Sequence, residues 1–138
     1  MGTNIRPVVS EKNPYWIEKH RYYELKHFCL QYPLWRKQYD MLQGLNTPFS
    51  RLSSDQTNEH ADPTVKCAIS KMYYSDRIAM IHKVASETNN ELCDYILRAV
   101  TEGLSYDTLR INQSIPCCRD VYYELYRRFF WILNKVRQ

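Results

Sequence analysis

Residues Gly103–Leu133 read GLSYDTLRINQSIPCCRDVYYELYRRFFWIL. Gly103 is a helix stop and Ser105 an N-cap, so the spacing predicts a helix of two turns, Tyr106–Asn112. Gln113–Cys117 then makes a tight turn around Pro116, and a last helix runs from about Cys118 to Val136. A short helix, a brief turn and a long helix are the pattern of a helix-turn-helix. Such a unit needs an apolar residue in each helix and one in the turn to lock the helices together. Leu109, Ile115 and Val121 suit those places. At 100° per residue, Val121, Tyr122, Leu125, Phe129, Ile132 and Val136 gather on one side of the last helix, the expected core face. Arg119, Tyr123, Arg127 and Asn134 form a second strip, expected to be exposed.

The rest of the chain carries the same helical punctuation. Asn13–Pro14 pairs an N-cap residue with proline at the first helical position, which predicts a helix to about Gln31. Tyr32–Pro33 breaks and restarts it, and Gly44 stops the second helix, giving an aromatic helical hairpin over 13–43. Residues 44–62 are rich in Ser, Asn, Asp and Thr with no periodic apolar face, so a flexible loop is expected there. Asp62–Pro63 repeats the cap-and-proline signature and opens a long central helix, 63–87. Its apolar residues spread over most of the circumference, which predicts burial on more than one side. Thr88–Asn90 caps the helices of the 90–136 region. Only three glycines and no strand-like alternation complete an all-α reading: one domain, 1–138, built as a helical bundle.

Composition narrows the function classes. Aromatic content is high, with twelve Tyr, four Phe and three Trp, and no apolar run reaches the length of a membrane span. The N-terminal residues lack the apolar core of a secretory signal, and Arg6 stands where a myristoylation start wants Ser or Thr. A soluble cytoplasmic protein without membrane contact is the expectation. The cysteines (29, 67, 93, 117 and 118) are odd in number, which argues for free thiols. Adjacent Cys117 and Cys118 chelate one tetrahedral metal poorly, and no second pair exists, so neither metal nor cofactor is expected. Arg119 and a helix N-terminus beside these thiols would lower a thiol pKa. Glu87, Glu91 and Asp94 near His82 match no acid–base pattern, and no enzymatic activity is expected.

Of the net +4, +3 falls in Leu104–Gln138, where six Lys/Arg meet three Asp/Glu. A bias at one end suits an anionic partner met there. Arg119, Tyr123 and Arg127 lie in the half of the last helix that a helix-turn-helix sends into the major groove. Arginine pairs with guanine or phosphate, and tyrosine donates to phosphate. Ser105 and Cys118 sit at helix N-termini, where free backbone N–H groups favour phosphate. With Arg110 on the first helix, these six are the expected nucleic-acid contacts, and double-stranded DNA is the expected partner.

The segment also resembles a family. Gly103–Leu133, within a resemblance spanning about Glu91–Asn134, looks like the C-terminal helix-turn-helix of small phage and prophage late-operon transcription activators of the RinA and ArpU type. That unit is in turn similar to the promoter-reading domain of sigma factors. Two departures stand out: Arg110 replaces a small residue, and the turn lacks glycine and is about one residue longer. The resemblance implies sequence-specific transcriptional regulation without chemistry, with RNA polymerase as a second partner; the aromatic hairpin is a candidate homodimer surface. The competing expectation is a phage DNA-packaging adaptor like small terminase subunits, or another helical assembly protein.

Overall fold

A computed structural model of the chain describes residues 13–44 and 63–137. The described residues are all-helical, with no strand among them. The helices are α1 (Lys19–Leu30), α2 (Tyr32–Gly44), α3 (Pro63–Thr88), α4 (Cys93–Glu102), α5 (Tyr106–Gln113) and α6 (Arg119–Val136). The loop expected at 44–62 lies, from 45 onward, outside the described residues.

The first helix starts later than its cap-and-proline signature predicts. Asn13 Oδ1 accepts from the Tyr15 N–H at 2.8 Å, and the Asn13 carbonyl accepts from Trp16 N at 3.0 Å. Asparagine thus closes a local turn two residues on, an alternative to capping that its short side chain always offers. Glu18 is the true N-cap, its carboxylate accepting from His20 N at 2.9 Å and Arg21 N at 3.1 Å. Gln31 alone separates α1 from α2, and α2 ends at Gly44 as expected. Between α3 and α4, Asn89 Oδ1 accepts from Glu91 N and Leu92 N and turns the chain. Gly103 closes α4 in the left-handed region at φ 70°, with its N–H on the Ala99 carbonyl, a conformation that costs a residue with Cβ much more. Ser105 caps α5 as predicted, accepting from Thr108 N at 3.2 Å.

Chain packing divides into two compact units, Met1–Gln31 with Met80–Gln138, and Tyr32–Ala79. In the first, α1 packs on α4 and α6, and α4 also packs on α5 and α6. Its core is built from Leu25 and Cys29 of α1, Ile81 and Val84 at the end of α3, Ile96 of α4, Leu109 of α5, and Tyr122, Phe129, Phe130 and Leu133 of α6. Each such side chain contributes about 1.5–3 kcal/mol by leaving water. Tyr22 ties α1 to α6 twice: its hydroxyl lies 3.0 Å from the Tyr126 hydroxyl, and its ring meets Phe130 edge-on at 5.2 Å. Arg21 adds a polar clamp, donating from Nε to Asn134 Oδ1 at 2.7 Å and from Nη2 to the Arg137 carbonyl at 2.9 Å. In the second unit, Trp35 and Ile78 are buried.

The expectation that the central helix is buried on several sides fails over its first half. Val65, Ile69, Met72 and Tyr73 are exposed, and burial begins only at Ile78. The apolar residues that filled the helical wheel therefore form two separate stripes, one covered and one bare, rather than one continuous buried surface.

Candidate nucleic-acid interface

The segment α5–turn–α6 is held by its own side chains. Ser114, in the left-handed region at φ 52°, closes α5 with its N–H on the Arg110 and Leu109 carbonyls. The turn runs Ser114–Cys118, one residue beyond the expected Gln113–Cys117, and α6 begins at Arg119. Leu109 and Ile115 are buried as the locking scheme predicts, but Val121 is 42% exposed and Tyr122 takes its place. The one-residue shift accounts for this, since it moves the inward-pointing position of α6 from 121 to 122. Tyr106 joins the two helices: its ring lies 5.4 Å from that of Tyr122, and its hydroxyl donates to the Cys117 carbonyl at 2.7 Å.

The shift carries along the whole of α6. The buried set is Tyr122, Leu125, Tyr126, Phe129, Phe130 and Leu133. Compared with the expected face, the core side is rotated by about 60° around the helix. Val121 and Val136 are exposed and Ile132 is half-buried. Aromatic rings decide this: Tyr126 and Phe130 offer more surface to Tyr22 than the displaced aliphatic side chains would. In consequence, the strip expected in open solvent borders the core. Tyr123, Arg127 and Asn134 are half-buried, and Asn134 belongs to the Arg21 clamp. The outermost residues are instead Asp120, Glu124, Arg128 and Lys135, acidic in the first half of the helix and basic in the second.

Arg119 is the best-defined of the six candidate residues. It is exposed at the first turn of α6, and its Nη2 donates to Asp107 Oδ1 at 2.6 Å. Its Nη1 stands 3.5 Å from the Tyr123 hydroxyl, and its guanidinium carbon lies 5.5 Å above the Tyr106 ring. Arg119 and Tyr123 are thus brought together. Arg110 is exposed at the end of α5, and Cys118 is exposed as the N-cap of α6, with no side-chain capping bond. Ser105 is half-buried, and its hydroxyl is engaged with Thr108. Arg127 is half-buried, and its Nε is buried with no hydrogen-bond partner among the described residues.

The structure also brings in two residues the sequence reading passed over, Asp107 and Tyr106. Asp107 lies in the first turn of α5, and nothing in linear spacing signals its contact with a residue twelve positions on. The expected lowering of a thiol pKa is not met at Cys117. Burial pushes that thiol up, the adjacent Cys118 adds to the effect, and Arg119 is already engaged with Asp107. Among the described residues, no group of three or more His, Cys, Asp or Glu side chains could hold a metal ion. Nor is any described helix long and apolar enough to cross a membrane.

In three comparisons with known proteins, no family model, curated protein or solved structure matched the chain.

Proposed function

We propose that this chain is a DNA-binding transcriptional regulator that acts by docking without chemistry, through the edge formed by α5, the turn and the start of α6. The observation that carries the reading is Arg119. A carboxylate, a tyrosine hydroxyl and an aromatic ring hold one exposed guanidinium at a helix start. An arginine oriented in this way loses less side-chain entropy on pairing with guanine or phosphate. Arg110 and Arg127 lie on the same two helices, and the whole last quarter is basic. Asp120 and Glu124 repel phosphate from the outermost face of α6, so the docking edge is the flank of Arg119, Tyr123 and Arg127 rather than the helix crest. The sequence resemblance to phage late-operon activators supports the same class of partner.

The test is a selection from random duplex DNA by the full chain, followed by anisotropy titrations over a salt series. Arg119→Ala should cost ~1–3 kcal/mol on the selected site and relax preference at one base pair. Arg127→Ala should weaken all duplexes alike and lower the salt slope by about one. No duplex retention at low salt, or isotherms of both variants that overlay wild type, would refute the reading.

A further inference from the structure

The bare stripe of α3 lies wholly within the unit Tyr32–Ala79. Val65 is 50% exposed, Ile69 64%, Met72 65% and Tyr73 46%. Val65, Ile69, Met72, Asp76 and Ala79 follow one another at spacings of four, three, four and three residues, the a/d pattern of a coiled-coil seam. A lone helix gains nothing from such a seam in water, whereas a second helix laid along it would bury every apolar member. Neither Lys66 nor Asp76 has an ion-pair partner among the described residues. Both are exposed, one beside each end of the Val65–Met72 stretch.

These charges select the occupant. We propose that the Val65–Asp76 face of α3 is a self-association surface, paired with the same face of a second copy in antiparallel orientation. With the two-fold axis between Ser70 and Lys71, Ile69 of one copy meets Met72 of the other. Val65 then lies opposite Asp76, which brings the Lys66 ammonium of each copy to the Asp76 carboxylate of its mate. A parallel pair would set Asp76 against Asp76 inside the seam, two like charges in a desolvated place. One polar residue in an otherwise apolar seam is a usual means of fixing orientation and register. The isologous arrangement closes at two copies, because each surface consumes itself. Tyr73 flanks the seam on the Lys66 side, and Arg77 stacks on it with its guanidinium carbon 3.4 Å from the ring centroid, so the aromatic wall is held in place. This association does not depend on the DNA reading, and its test uses no nucleic acid.

Sedimentation equilibrium of the full chain measures it directly. The short seam makes a small interface, so the mass should rise from monomer toward dimer over ~10–100 µM. Ile69→Glu should remain monomeric throughout with unchanged circular dichroism, since the position is exposed in the single copy. Asp76→Lys should weaken the dimer roughly tenfold or more by facing Lys66 of the mate. Lys66→Asp combined with Asp76→Lys reverses both charges and should restore association to within about threefold of wild type. A wild-type chain that stays monomeric to about 300 µM would overturn the proposal. A double swap no tighter than Asp76→Lys alone would do so too. So would growth past the dimer, or a loss of thermal stability in Ile69→Glu while wild type is monomeric, which would mean that the chain's own residues cover the face.

Discussion

Arg119 Nη2 and Asp107 Oδ1 lie 2.6 Å apart and bridge the start of α6 to the first turn of α5. Both side chains are about half exposed, so the pair contributes at most about 1 kcal/mol to folding. Its weight is on orientation: the carboxylate engages Nη2 while Nη1 faces the Tyr123 hydroxyl at 3.5 Å, so the exposed guanidinium is held from two sides. Asp107→Asn keeps an acceptor but removes the charge. Thermal stability should change little. Affinity for arbitrary duplex DNA at low salt should rise about threefold to tenfold, while discrimination between duplexes falls. Anisotropy titrations on two unrelated duplexes measure both effects, and curves identical to wild type would separate Asp107 from nucleic-acid contact.

The tyrosine hydroxyls of the core predict opposite signs at neighbouring positions. The Tyr22 and Tyr126 hydroxyls pair at 3.0 Å, so Tyr22→Phe takes from the buried Tyr126 hydroxyl this bond and should cost about 1–2 kcal/mol, and Tyr126→Phe removes the same bond. The double variant should cost less than the sum of the two, because both single variants remove the same hydrogen bond. The Tyr122 hydroxyl is buried without a partner among the described residues, so Tyr122→Phe should be neutral or stabilise by up to about 1 kcal/mol. Urea denaturation of the four variants decides the matter. Burial, as the first cause, raises all three phenols above their ordinary range. Their contribution to stability is therefore complete below the unfolded tyrosine range and lost as pH climbs above it.

Glu18 gives the acid-side counterpart. The backbone N–H of His20, then that of Arg21, holds its carboxyl below the usual range. The folded state favours the ionised form, so the stabilisation is complete above the unfolded carboxylate range and fades as pH falls through the lowered folded value. Glu18→Gln keeps the shape and removes the charge. Its melting temperature should lie below wild type at neutral pH, and the gap should close toward about pH 3. A gap of the same size at both pH values would show that charge has no part in this cap.

The sequence by itself determined where most helices begin and end. Gly103, Ser105, Gly44 and Pro63 set boundaries through φ preference, a short hydroxyl or a missing N–H, and these are properties of one residue and its immediate neighbours. Even here Asn13 shows the limit, because its side chain fits a turn as well as a cap, and Glu18 became the cap instead. Helical order and the last-quarter charge bias were legible for the same local reason. Which face of α6 is buried was not. Val121 and Tyr122 are both apolar enough to point inward, and the choice fell to Tyr122 because the turn ends one residue later and α1 presents Tyr22 to Tyr126 and Phe130. That rotation moved Asn134 into the Arg21 clamp, half-buried Arg127, and put Asp107 in reach of Arg119. Only the tertiary structure separated the covered stripe of α3 from the bare one, since periodicity records that a residue is apolar but burial depends on what another part of the chain places against it.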